Sequence, residues 1–259
     1  MRRIDVKRHI WGDRESQLVA DWLYASTDKL HVLMFGLAPG KWFKHSSAFR
    51  TVFRADEVLY VLSGSMLASN PETGEVVSFE AGQSLFFQRD TWHHVRAQGN
   101  EPLRVLEFFA PPPSQGTSGP YAVTRPYVDA PRYTRDNLIG DLPRASAPST
   151  LHRVERRDHS MRLEGDIAIG LIASTPQLTV AELDIPAGGW GRRTSHGGDA
   201  MVFGLEGELM IRTYWNGTSV TFEMGPHDAV FVPHRAEYEV LSFSSAAKAL
   251  MGVAPAYLP

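Results

Sequence analysis

The sequence predicts an all-β chain made of two similar halves, each a small sandwich or barrel of short antiparallel strands. Three observations carry this prediction. Turn residues punctuate the 259 positions at roughly 8–12-residue intervals. The segments between them are rich in Val, Leu, Phe and Tyr, as strands that pack on a pleated surface require. Three of these segments also recur, in the same order, in the second half of the chain.

In the first half the strand-like segments are LHVLMFGLAPG, DEVLYVLSGSMLAS, NPETGEVVSFEAGQSLFFQ and LRVLEFFAPPP. In the second half QLTVAELDIPAGG matches the first of these, AMVFGLEGELMIR the second, and NGTSVTFEMGPHDAVFVP the third. Asn216-Gly217 sits between two apolar segments and reads as a tight hairpin turn, since both residues tolerate positive φ. Only residues 15–24 suggest a short helical turn. Between the halves lies APPPSQGTSGPYAVTRPYVDAPRY, too rich in Pro, Gly and Ser to build a core, and so read as a connector. The expected layout is residues 1–115 for the first barrel with an N-terminal arm, 116–160 for the connector, and 161–259 for the second barrel.

Composition narrows the function classes. Hydrophobic residues make up 43% and charged residues 21%, as in an ordinary folded protein. A formal charge of −3 and the lack of a Lys/Arg run argue against nucleic acid as a partner. With no cysteine there is no disulfide, thiolate metal site or Cys nucleophile, a composition that suits the cytoplasm. No apolar run approaches the length of a membrane span. Nucleophile-elbow, phosphate-loop and dinucleotide motifs are absent from the sequence.

Two motifs carry a resemblance. Glu57, followed by VLYVLS and Gly64, fits the E(X)6G end of the pattern G(X)5HXH(X)3-4E(X)6G, and Gly82 to His93 loosely fits G(X)5PXG(X)2H(X)3N. Gln88, Asp90 and Ala97 stand where the second pattern has Pro, Gly and Asn. In the second half Gly188, His196 and Gly207 follow the first pattern's spacing, and Pro233 anchors the second. The chain thus resembles the cupin superfamily, in its two-barrel (bicupin) form with degenerate metal motifs. The resemblance implies two tandem jelly-roll barrels, frequent homodimers, and two His, one Glu and a last His converging on one divalent transition metal (Fe, Mn, Ni or Zn). Imidazole and carboxylate donors suit such ions.

In the first half, Glu57 and His93 stand at ligand positions. Counting back from Glu57 places Thr51 and Phe53 where the HXH histidines belong. Counting forward from Gly40 brings His45 within one residue of the first of them. Gly188 to Ala200 spans 12 residues whereas Gly40 to Glu57 spans 17, so about five extra residues lie within SSAFRTVFRA. If they follow His45, then His45, Glu57 and His93 form a two-His, one-carboxylate set. If they precede it in space, only Glu57 and His93 remain. An ordinary core accounts for the same residues otherwise: Glu57 paired with Arg50, Arg54 or Arg96, and His93 a hydrogen-bonded core histidine. His94, the neighbour of His93, is expected to point outward.

The second half keeps only His196; Thr194, Ala200 and Tyr238 replace the other ligands. It is expected to be metal-free and mainly structural, with a pocket of His196, Tyr238 and Trp190 as the lesser reading. Around the first-half site the sequence places Trp42, Phe43, Phe49, Phe53, Tyr60, Phe86, Phe87 and Trp92. Arg50 or Arg54 is the expected clamp for a small anionic substrate, with Trp42 and Phe53 as further substrate contacts. The resulting expectation is a metal-dependent enzyme, with oxygenase first and isomerase or lyase next, Glu57 and His93 being catalytic. The alternatives are a metal-free sensor or storage protein that binds a small ligand, and metal-free acid–base catalysis by Glu57 with His93.

Overall fold

A computed structural model describes residues 1–14, 17–44, 51–112, 122–124 and 149–258. The first part of the chain contributes β1 (Lys7–Asp13), β2 (Gln17–Ser26), β3 (His31–Leu37), β4 (Trp42–Phe43), β5 (Thr51–Phe53), β6 (Asp56–Ser63), β7 (Ser65–Asn70), β8 (Glu75–Glu80), β9 (Ser84–Phe87), β10 (His94–Gln98), β11 (Leu103–Ala110), β12 (Ala122–Thr124) and β13 (His152–Val154). The second contributes β14 (Ser160–Glu164), β15 (Ile167–Ser174), β16 (Thr179–Ile185), β17 (Asp199–Glu206), β18 (Leu209–Trp215), β19 (Thr218–Met224), β20 (Ala229–Val232), β21 (Glu237–Leu241) and β22 (Ala247–Ala254). No α-helix occurs among the described residues. Gln17–Tyr24, read from sequence as a helical turn, belongs to β2: a register shift between Leu23 and Ala25 breaks the strict alternation that marks a strand.

Each half pairs a large sheet with a small one. The N-terminal barrel sets the order β1-β2-β3-β11-β6-β9-β13 against β4-β10-β7-β8, and β12 pairs with β5. The C-terminal barrel sets β14-β15-β16-β22-β17-β20 against β19-β18-β21. Connector residues 122–124 and 152–154 both add short strands to the N-terminal barrel. The Asn216-Gly217 turn closes the β18–β19 hairpin with φ of 48° and 78°, as both central positions of a type I′ turn demand.

The two large sheets pack back to back. Leu59 and Val61 of β6 enter the N-terminal core with Val105 and Phe109 of β11. Their neighbours Val58, Tyr60, Leu106 and Phe108 turn the other way and meet Val180, Met201, Phe203 and Leu250 of the second barrel. Val202, Ala249, Met251 and Val253 fill the C-terminal core. Burial of each large apolar side chain in this seam contributes roughly 1.5–3 kcal/mol. At Gly252 the seam is so close that an added Cβ would lie 2.2 Å from Cδ1 of Phe108.

Polar groups fix the same contact. Asp199, 4% exposed, accepts from Thr27 Oγ1 at 3.0 Å and from the His234 backbone at 3.0 Å, with Lys29 Nζ at 3.5 Å. Arg156 donates to Glu182 and Asp184, and the Tyr60 hydroxyl reaches Glu182 at 3.4 Å. Tyr60 therefore belongs to the seam and not to the surroundings of the barrel site, a correction that follows from its even place on β6. Phe86, on the outer side of β9 with His152 stacked at 6.0 Å, is corrected in the same way.

Candidate metal centre in the N-terminal barrel

Glu57 faces the barrel because it shares the parity of Leu59 and Val61, and it is 2% exposed. In the pairing of β6 with β11 it stands opposite Phe109, while Glu107 stands opposite Leu59. Both carboxyls therefore enter the barrel from adjacent strands, one diagonal step apart. His93 comes from the opposite side, just before β10. Its ring packs on Phe87 at 4.4 Å and edge-on to Phe43 at 5.7 Å. Candidate ligand atoms of Glu57, His93 and Glu107 all lie within 4.8 Å of one another, the only such trio of His, Asp or Glu among the described residues.

The electrostatics of this trio are unfavourable without a cation. Burial pushes the Glu57 carboxyl well above the usual range, and the charges of Glu107 and Asp56 push it further. Burial also raises Glu107, to about 7. The two carboxyls share a hydrogen bond that favours the protonated form of Glu57 and the ionised form of Glu107, so one proton is held between them. Two oxygen donors and one imidazole meet the donor chemistry of a divalent ion such as Mn or Fe, and an ion would replace the shared proton. The donor set fits a metal on that ground.

The other residues singled out from sequence divide as follows. His45 and Arg50 lie outside the described residues, as does Phe49. Phe53 packs against the N-terminal core and stacks on Phe109 at 5.8 Å, which places it beside Glu57. Trp42 is half-buried and adjacent to Phe43, and Phe43 is the member of that pair in the core. Arg54 is exposed, with Asp90 3.9 Å away. His94 sits on β10 opposite Ser69, next to the core residue Val95. Glu107 was missed because it lies in LRVLEFFA, a segment otherwise read as core; the signal was that one acid in that apolar run.

The second barrel is organised differently at the equivalent depth. His196 is 3% exposed, with Nδ1 2.6 Å from the Tyr257 carbonyl and Nε2 2.8 Å from the Tyr238 hydroxyl. Nδ1–H therefore donates to the carbonyl and Nε2 accepts from Tyr238. Both ring nitrogens are used by the protein. A cavity of about 20 Å³ lined by Tyr238, Tyr257, Met251 and Glu164 leaves room for roughly one water. Trp190 stays 43% exposed, its indole donating to Glu239 at 3.1 Å, so it does not join His196 and Tyr238.

Residues 54–109 match the Cupin domain family, and this span holds Glu57, His93 and Glu107. Solved structures similar over the whole chain include a variant of Bacillus subtilis oxalate decarboxylase (12% identity, TM-score 0.67, 100% of this chain and 78% of that one). Another is the formate complex of Lactobacillus farciminis oxalate decarboxylase (13% identity, TM-score 0.69, 100% and 86%). A third, with the same 12% identity and a TM-score of 0.67 over 98% of this chain and 76% of that one, was solved in work on the Mn(II) centres of the Bacillus subtilis enzyme. No curated protein matches the chain. Residues 54–109 of the N-terminal barrel thus match a Cupin domain, and the two back-to-back barrels share the fold of these oxalate decarboxylases over the whole chain.

Proposed function

We propose that the N-terminal barrel is the active site of a metal-dependent enzyme acting on a small organic molecule. Glu57, His93 and Glu107 hold a divalent cation, with His45 as a further ligand expected from the motif. The observation that carries this reading is the convergence of candidate ligand atoms of Glu57, His93 and Glu107 to within 4.8 Å of one another inside a barrel. A divalent cation at this position supplies Lewis-acid polarisation of a substrate oxygen. Phe53 and Phe109 form an apolar wall beside Glu57 that keeps water from the carboxyls.

Non-oxidative bond cleavage stands ahead of oxygenase chemistry. The oxygenase expectation rested on a two-His, one-carboxylate set, whereas the described trio has one His and two carboxylates. The fold is shared with oxalate decarboxylases, one of them studied for its Mn(II) centres, and the two carboxylates of this trio suit Mn(II). Metal analysis of untagged protein, before and after refilling with Mn(II), tests the reading. The expected result is close to one ion per chain, falling at least about ten-fold in Glu57→Gln, His93→Ala and Glu107→Gln. Only trace occupancy by every transition metal after refilling refutes it, and oxygen uptake during turnover would restore the oxygenase assignment.

A further inference from the structure

The second barrel covers only part of the outer face of the large N-terminal sheet. Met34, Leu106 and Phe108 lie beneath it. The same face runs on across β3, β2 and β1, away from the seam. Alternation along β2 sends Val19, Asp21 and Leu23 inward, Asp21 being 4% exposed, and Leu18, Ala20 and Trp22 outward. Pairing adds Arg8, Ile10 and Gly12 of β1 on one side, and Gly36 of β3 and Arg104 of β11 on the other. Leu18 stands opposite Gly12 and Ile10 opposite Ala20, so both aliphatic tips rise above small partners, 69% and 63% exposed.

Two cations are mounted on this face. The Arg8 guanidinium lies 4.9 Å from the centre of the Trp22 indole and that of Arg104 5.2 Å, reached from strands on either side of β2. Gly36 permits the second contact: a Cβ there would meet Trp22 Cζ3 at 3.5 Å and Arg104 Nη1 at 3.6 Å. Burial lowers the Arg104 guanidinium from its ordinary value, and the charges of Arg3, in the arm ahead of β1, and of Arg8 lower it further. Arg3, Arg8 and Arg104 form no ion pair with a carboxylate among the described residues. The outward positions of β1, β2 and β3 include no acid. Asp228, across the seam, is already held by the Arg2 side chain and by the Arg3 and Gly225 backbone.

Such a surface fits a partner that is negatively charged and apolar just beneath its charge. A second copy of the chain does not fit, because a two-fold contact would set Arg8 and Arg104 against their own copies with no acid between them. Ile10 and Leu18, with Ile4 of the arm 91% exposed, project as separate tips, which suits a fluid apolar layer better than a shaped protein surface. We propose that this face is a docking surface for an anionic lipid bilayer. Arg3, Arg8 and Arg104 meet lipid phosphates, Trp22 lies at headgroup level, and Ile10 and Leu18 enter the acyl boundary. The contact is peripheral, since no helix among the described residues is long and apolar enough to cross a membrane. It does not depend on the metal centre.

Co-sedimentation of the full chain with vesicles tests it, using phosphatidylcholine alone and a two-to-one mixture of phosphatidylcholine and phosphatidylglycerol. The mixed vesicles are expected to bind at least about ten-fold more tightly at low salt, an advantage that shrinks as added salt screens the charges. Arg8→Gln and Arg104→Gln are each expected to weaken binding about five-fold. Ile10→Ser combined with Leu18→Ser is expected to weaken it at least about ten-fold while the urea midpoint stays close to wild type. Arg193→Gln, in the second barrel beside Glu237, should bind as wild type does. No binding, equal binding to both vesicle types, or face variants that bind like wild type overturns the proposal. Polyglutamate bound as tightly as the mixed vesicles also overturns it and assigns the face to an acidic protein segment. Dimerisation without vesicles that Ile10→Ser with Leu18→Ser abolishes overturns it in favour of a second copy.

Discussion

Gly252→Ala tests whether the two barrels share one rigid seam. The added methyl would sit 2.2 Å from Cδ1, 2.6 Å from Cε1 and 3.1 Å from Cγ of Phe108. Carbon atoms pack at about 3.5–4.0 Å, so the ring must retreat by more than an ångström. Phe108 is fully buried among Met34, Leu106, Met201 and Leu250, and has no open space to enter. Overpacking of this kind costs about 1–3 kcal/mol, and the geometry places Gly252→Ala at or above the upper end. Phe108→Ala removes the ring and is expected to cost about 3–5 kcal/mol. In the double variant the methyl enters the space the ring left, so the combined loss should fall short of the sum by about 1–3 kcal/mol. Urea unfolding followed by tryptophan fluorescence gives all three values. An unchanged midpoint for Gly252→Ala, or strictly additive losses, would refute the close back-to-back packing.

Three further outcomes are expected. In metal-free protein, unfolded carboxyls ionise near pH 4 while folded Glu107 and Asp21 hold protons to about 7 and about 8. Folded Glu107 and Asp21 bind more protons than their unfolded counterparts over that interval, so their contribution to stability should fall as pH rises from about 4 to 8, offset in part below about 6.5 by buried His31, which is held down to about 4. Thermal unfolding across this range checks the slope, which Asp21→Asn should flatten in part and saturating Mn(II) should reduce. Tyr238→Phe leaves Nε2 of buried His196 without its donor and should cost about 1–3 kcal/mol by urea denaturation, with metal occupancy unchanged. Arg54→Ala, an exposed residue 3.9 Å from Asp90, should leave stability within about 0.5 kcal/mol.

The duplication and its hairpins were legible because turn chemistry is local: Asn216-Gly217 needs no tertiary context to demand positive φ. The seam was harder to read. Segments such as EVLYVL and LRVLEFFA are apolar at nearly every position because one face of each strand fills a barrel and the other meets the second barrel. Periodicity therefore could not say which residues face the site, and Tyr60 and Phe86 were placed on the wrong side. Glu57 and His93 were readable from motif spacing. Glu107 and Asp21 were not, since they share the inner face of the barrel through pairing across β3, β11 and β6, and such register is invisible to a linear pattern.

Glu107 and Phe109 flank Phe108 on β11, so the backbone that aims a carboxyl at the candidate metal is the same backbone that carries the ring pressed onto Gly252. The second barrel, whose His196 has both ring nitrogens hydrogen-bonded within the protein, thereby serves as an anvil for the first. Substitutions made only in β22 should register as altered ion affinity some distance away, and an isolated N-terminal half would present a greasy, unsupported back to water. Retaining two barrels where one bears the candidate chemistry has, on this view, a mechanical reason.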